Sequence, residues 1–376
     1  MKRLRGLIAR ADGSTRKGVV GFGETIESVE AGGGAEATDY IVPGFIDLQV
    51  NGRGGIDVMN ARADALCELS SELAREGTTA WLPTAITSPL ERIEAVAANI
   101  SEAIAEATAK AIAGSVETRR VADAILGMHL EGPFISAARL GAHPAHNLEP
   151  RGAALERVAA LPALRMITLA PELNGALEAV ANLSAHGVAV SLGHTDAALE
   201  QAQAGVAAGA RMFTHTFNAM APLDHRHPAA AAAAMLPSRA WAAVIADGVH
   251  VHPAMLRLLY LARGAGGICL TTDRVAIGDT AGASPLASAT VAGGAARMPD
   301  GRLAGSVISM LDAVRIMVEQ AGASVGEAAL MAATNPARVL GLGERGRIEA
   351  GAIADLLVLG PRLELKAVFV GGRELA

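Results

Sequence analysis

Residues 188–215, VAVSLGHTDAALEQAQAGVAAGARMFTH, place two short apolar runs on either side of an alanine-rich segment. The first run, Val188 to Leu192, is continuous in apolar or small residues, as a strand buried on both faces requires. After Gly193-His194-Thr195, Asp196 opens a helix-like run to Ala208, and Gly209 stands where that helix should stop. The second run, Arg211 to Thr214, ends at His215. The stretch therefore predicts strand, helix and parallel strand, with a histidine after each strand.

The same alternation runs from about residue 40 to 340. Six further strand-like runs are Phe45 to Val50, Thr78 to Leu82, Ile125 to Leu130, Met166 to Ala170, Trp241 to Ala246 and Ile268 to Thr272. Helical segments are expected over Asp64 to Arg75, Pro89 to Lys110, Ala176 to His186 and Pro253 to Arg263. Eight strands with helical crossovers predict a (β/α)8 TIM barrel over residues 43–342, with an open doubly wound sheet as the alternative. Residues 1–42 and 343–376 hold short strand-like runs with little helical period, and predict a small β-sandwich domain built from both chain termini. Residues 281–302 predict a hairpin after the eighth strand, with a turn at Pro299-Asp300-Gly301, and Ala229 to Ala234 a tightly packed helical segment.

Composition narrows the function. A net charge of −6 with 19% charged residues offers no basic footprint for nucleic acid. Cys67 and Cys269 exclude a disulfide framework and a cysteine-rich zinc module. The apolar run after Met1-Lys2-Arg3 is broken by Arg10 and Asp12, too early for a signal peptide, and no run of 18 apolar residues suits a membrane span. A soluble cytoplasmic protein is expected. Only Lys2, Lys17, Lys110 and Lys366 supply lysine.

In a barrel, chemistry gathers at the C-terminal ends of the strands. Those ends carry Gln49 and Asn51, Thr84, Glu131, Glu172, His194, His215, Asp247 and Asp273. A single histidine after a strand is usually a hydrogen-bonded loop residue. Glu131, His194 and His215 together give one carboxylate and two imidazoles, a set that binds catalytic zinc with a position left open; iron(II) suits the same donors. Asp273 is the candidate general base, able to accept a proton from an attacking water and return it to a leaving amine.

Several motifs then occur in order: His129-Leu-Glu-Gly-Pro-Phe134, Gly141-Ala-His143, Gly193-His-Thr195, Thr214-His-Thr-Phe-Asn-Ala-Met220, Asp247-Gly-Val-His250, Thr272-Asp273 and Leu303-Ala-Gly-Ser306. Together with Pro43-Gly-Phe-Ile-Asp47 and Thr334-Asn-Pro-Ala337, they resemble the N-acetylglucosamine-6-phosphate deacetylases of the amidohydrolase superfamily over essentially the whole chain. The resemblance implies a metal-dependent hydrolysis yielding glucosamine 6-phosphate and acetate. It assigns Glu131, His194 and His215 to one divalent metal, zinc before iron(II), and Asp273 to acid–base chemistry. It places His143 at the acetamide carbonyl. Ala142, Asn218, Ala219, Asp247, Gly248, Val249 and His250 fall among sugar and phosphate contacts, and Leu303, Ala304 and Gly305 in a lining backbone. Arg226, within the basic His225-Arg226-His227, matches a phosphate-binding arginine that reaches the neighbouring subunit's site, so a homodimer is implied. His129 is expected to support Glu131 from the same strand face. His146, His186, His227 and His252 are expected in surface or structural roles.

Two departures matter. Where many superfamily members end strand one His-x-His and bind a second metal, this chain has Gln49-Val50-Asn51, so one metal per chain is predicted. After Asp273 the family usually has small residues. Arg274 stands there instead, either favouring the ionised form of Asp273 or turned outward. Dihydroorotase-like and hydantoinase-like enzymes need a carbamylated lysine after strand four, and no lysine lies near a strand end. The galacto epimer as substrate and a non-catalytic phosphosugar-binding barrel are the alternatives. With 3% aromatic residues, recognition should rest on metal, histidines and arginine instead of aromatic stacking.

Overall fold

A computed structural model describes residues 1–32, 38–112, 124–277 and 286–375 of the chain. Residues 281–285, at the start of the expected hairpin, lie outside the described residues.

Eight parallel strands follow one another in chain order: β1 (Phe45–Val50), β2 (Thr78–Ile86), β3 (Met128–Glu131), β4 (Leu164–Leu169), β5 (Ala189–Leu192), β6 (Met212–Phe213), β7 (Trp241–Ile245) and β8 (Ile268–Thr271). All eight fall on the predicted runs. The ring closes where Val50 bridges Arg274, whose carbonyl oxygen accepts from Asn51 N at 2.8 Å and Gly52 N at 3.1 Å. A TIM-like barrel results, and the open-sheet alternative falls away.

The barrel interior is layered. Ile46, Leu82, Met166, Met212 and Cys269 meet in one apolar cluster with Val339 and Leu340 of the helix Asn335–Leu340. Side chains from strands so far apart around the ring can touch only inside it. The opposite faces point to the surrounding helices: Trp81 is fully buried and donates to Ser70 in the helix Ala63–Arg75 at 2.9 Å. Above the apolar layer runs a polar one. His129 faces the Leu48 carbonyl oxygen with Nδ1 at 2.9 Å, so that nitrogen carries the proton and Nε2 accepts from Thr168 Oγ1 at 2.8 Å. Thr168 must then accept from Thr214 (2.7 Å), and Thr214 from Ser191 (2.6 Å). Burial pushes the His129 ring down to about 4, which keeps it neutral. Its hydrogen bonds go to this layer and not to Glu131.

The terminal segments form one mixed seven-stranded sheet, in the order Arg373–Glu374, Leu365–Val370, Leu356–Leu359, Tyr40–Pro43, Lys2–Ala9, Thr15–Phe22, Ile26–Ala31. Phe22 and Phe369 belong to strands that are not neighbours in it, yet their ring centroids are 5.3 Å apart. The sheet therefore curls until its two halves pack face to face, around Ile8, Val20, Ile41 and Leu356. Tyr40–Pro43 runs into β1 through Gly44, where a Cβ would sit 2.2 Å from Thr79 Oγ1, so only glycine fits.

Two local expectations change. The helix expected from Asp196 spans Leu199–Ala208. Glu172 draws the preceding segment away from helical geometry, accepting from Thr195 Oγ1 at 2.6 Å and Asp196 N at 2.7 Å, and Gln201 instead caps Ala198 N at 2.9 Å. In the hairpin region, Thr290–Ala292 pairs with Ala295–Arg297 around Gly293-Gly294, both at positive φ. The Pro299–Gly301 turn then returns the chain so that Ala304 N donates to Ala296 O at 2.9 Å.

Candidate metal centre and active site

Glu131 ends β3, while His194, His215 and Asp273 follow β5, β6 and β8. The last three adopt left-handed backbone conformations, with φ of 48°, 27° and 47°. Such φ values cost non-glycine residues about 1–3 kcal/mol each and persist only when the surroundings enforce them. Each carbonyl oxygen is held from another position: Ser136 N donates to His194 O, Asn218 N to His215 O and Ser306 N to Asp273 O, all at 2.9 Å. The sharp turn directs each side chain into the barrel mouth.

There Glu131 Oε1 lies 3.1 Å from His194 Nε2 and 2.9 Å from His215 Nε2, and the two imidazole nitrogens are 3.2 Å apart. All three side chains are buried. His194 Nδ1 meets the Arg139 carbonyl oxygen at 2.8 Å, which fixes the proton there and leaves Nε2 as a lone pair turned toward other acceptors. Lone pairs gathered this closely need a cation between them. A tetrahedral ion about 2.0–2.2 Å from N and O donors sets them roughly 3.3 Å apart. Glu131, His194 and His215 therefore fit a divalent metal. Burial alone would raise the Glu131 carboxyl, but the imidazoles of His143, His194 and His215 crowded against it hold it well below the usual range. Burial, then the neighbouring His143, pushes His194 down to about 4, favouring the neutral, ligating ring.

Asp273 sits beside this set. Its Oδ1 accepts from Asn51 Nδ2 at 2.7 Å and Gln49 Nε2 at 3.0 Å, and the Gln49 amide also donates to Glu131 Oε1 at 2.9 Å. The strand-one amides thus hold carboxylates where imidazoles would hold an ion. In the metal-free chain burial and the Glu131 charge push the Asp273 carboxyl up to about 8, and a cation held by Glu131, His194 and His215 would favour the ionised form that can accept a proton. Arg274 turns outward and pairs with Glu76 at 2.5 Å, which resolves the two expectations for it.

The carboxylate and imidazoles open onto a cavity of about 570 Å³, its open mouth included. Ala142, His143, Asn218 and Ala219 line it on one side, and Leu303, Ala304 and Gly305 on another. His143 Nε2 is 3.3 Å from Glu131 Oε2, and its Nδ1 is 2.9 Å from Thr87 Oγ1. His250 also lines the cavity, but Asp247, Gly248 and Val249 do not. Asp247 instead anchors His250, with Oδ2 2.6 Å from the ring Nδ1 and Oδ1 accepting from His250 N at 2.7 Å. Arg226 is exposed, outside this chain's own cavity, in a turn where its N–H donates to Asp224 Oδ1 at 2.8 Å. His186 bonds Asn182 O at 2.8 Å and His252 caps the helix Pro253–Arg263, both structural tasks. Sequence reasoning missed Ile86 and Leu286, apolar lining with no chemical signature, and the Arg139 carbonyl, which no side chain announces.

An amidohydrolase family model matches residues 40–375. The N-acetylgalactosamine-6-phosphate deacetylase of Escherichia coli O157:H7 is 36% identical over 341 residues, 89% of this chain and 87% of that protein. The N-acetylglucosamine-6-phosphate deacetylase of Bacillus subtilis (strain 168) is 34% identical over 338 residues, 88% of this chain and 83% of that protein. The solved structure of a mutant N-acetyl-D-glucosamine-6-phosphate deacetylase from Mycobacterium smegmatis, in complex with N-acetyl-D-glucosamine-6-phosphate, superposes with a TM-score of 0.86 at 30% identity, covering 99% of this chain and 98% of that one. With its barrel, its curled terminal sheet and its Glu–His–His centre, the chain belongs to the N-acetylglucosamine-6-phosphate deacetylase family of the amidohydrolase superfamily.

Proposed function

We propose that the chain hydrolyses the acetamide of N-acetyl-D-glucosamine 6-phosphate to D-glucosamine 6-phosphate and acetate. The observation that carries this reading is the buried Glu131, His194 and His215 set beside Asp273 at one cavity. Those three residues hold one divalent metal, zinc by preference, since two imidazoles and a carboxylate suit it. When bound, the ion supplies Lewis-acid polarisation. Asp273 takes a proton from the attacking water as its oxygen adds to the acetyl carbon, then delivers a proton to the nitrogen as the C–N bond breaks. His143 donates to the oxygen on which negative charge develops. Asn218, Ala219, His250 and the Leu303–Gly305 backbone contact the sugar phosphate, with Ala142 beside them and Asp247, Gly248 and Val249 supporting His250. Arg226 binds the phosphate in the neighbouring subunit of a homodimer, which accounts for its place outside its own chain's cavity. The reaction runs in the cytoplasm.

The relative from Escherichia coli supports a second reading, with N-acetylgalactosamine 6-phosphate as substrate. Acetate release measured on both epimers separates the two. Asp273→Asn should lower kcat by about 10²–10⁴ and leave substrate binding within about threefold. No acetate from either epimer with the wild type would end the deacetylase reading.

A further inference from the structure

The seam between β1 and β8 carries contacts that the reaction leaves unassigned. Asp47 is 1% exposed, and among the described residues its hydrogen-bond partners are hydroxyl and amide donors. Its Oδ1 accepts from Thr271 Oγ1 at 2.9 Å and Gln49 N at 3.2 Å, its Oδ2 from Thr272 Oγ1 at 2.6 Å, and Thr272 N lies 3.3 Å from both oxygens. Burying a carboxylate is costly unless its donors offset the lost hydration, and apolar side chains would close an ordinary seam without that cost. The geometry gives this carboxylate a narrower task. It grips the two residues directly before Asp273, whose left-handed turn needs outside support. Two and four positions along the same chain segment, the Gln49 and Asn51 amides reach Asp273 itself, and both bind Oδ1. On its other edge, β1 shifts register against β2 between Asp47 and Val50, an irregularity of the kind that re-aims side chains.

We propose that Asp47, Gln49 and Asn51 are positioning residues: Asp47 clamps Thr271 and Thr272, and the two amides hold Asp273 by Oδ1, so that Oδ2 is the oxygen presented to the substrate. The consequence for turnover rests on the reading of Asp273 as proton carrier; the clamp itself does not.

The test compares Asp47→Asn and Thr272→Val with the conservative Thr272→Ser, in the full metal-loaded chain. Amide hydrogen exchange over residues 268–277 reads the clamp without turnover. Asp47→Asn and Thr272→Val should speed exchange there about tenfold or more while β3 to β5 stay protected, and Thr272→Ser should match the wild type. Acetate release reads the consequence: kcat falls about ten- to a hundredfold in the first two, KM stays within about twofold, and the metal content is unchanged. If Asp47→Asn does not fold, Thr272→Val carries the comparison. Unchanged exchange overturns the clamp. Faster exchange with unchanged kcat overturns its positioning role, and so does a kcat loss that tracks loss of metal. If the wild type hydrolyses neither epimer, the reaction reading has failed, and exchange alone decides for or against the clamp.

Discussion

Asp247 Oδ2 and His250 Nδ1 stand 2.6 Å apart, and both side chains are almost wholly buried even though His250 borders the cavity. Burial alone would raise the Asp247 carboxyl; the His250 hydrogen bond reverses this and holds it below its ordinary value. The pair fixes the ring with its other nitrogen available to a ligand. Asp247→Asn should therefore raise KM for the sugar phosphate about tenfold and change kcat by less than about threefold. Steady-state kinetics check this, and a fall in kcat at constant KM would instead place His250 at the reacting bond.

Metal content follows from the donor set. Elemental analysis of the purified chain should find one divalent ion, because the Gln49 and Asn51 amides at strand one already donate to carboxylates. Chelation should abolish acetate release and lower the melting temperature, since an ion bound only by the folded state stabilises it. His215→Asn should lose both the ion and the activity. Two tightly held ions per chain would contradict the one-metal assignment.

His129 should make its own contribution to the acid sensitivity of the metal-free chain in a definite window. His129 has a folded value of about 4 against an ordinary 6.5, so between these pH values the unfolded chain binds the proton and the native one does not. The His129 contribution to stability then rises with pH; it is complete above about 6.5 and lost as pH falls toward about 4. The shift corresponds to roughly 3 kcal/mol, with His194 adding a change of the same sign. Because the raised carboxyls of Asp273 and Asp47 act with the opposite sign in the same window, the check is a difference: in urea titrations at several pH values the wild type minus His129→Gln should show this slope.

The barrel was legible because strands buried on both faces read as unbroken apolar runs, and because chemistry gathers where those runs end. That reading located Glu131, His194, His215 and Asp273 from chain position alone. The start of the helix after β5 was not legible: Asp196 looks like a cap, and Glu172, which draws its N–H away, comes from the end of a different strand. Nor was the task of Gln49, whose side-chain amide makes hydrogen bonds that span 82 and 224 positions of chain. Arg274 follows Asp273 in sequence, yet its partner Glu76 lies on the far side of the seam, so adjacency said nothing about charge support. Left-handed turns at His194, His215 and Asp273 leave no trace in sequence because no glycine marks them.

Those three turns also set the terms on which this site can be redesigned. The strand ends depend on N–H groups of Ser136, Asn218 and Ser306, so the segments that carry them are fixtures of the chemistry as well as walls of the cavity. Grafting a foreign loop at any of the three would disturb His194, His215 or Asp273 before it altered what binds. Freedom to change without disturbing these turns is greater in segments outside the cavity lining, such as the hairpin tip at Gly293-Gly294.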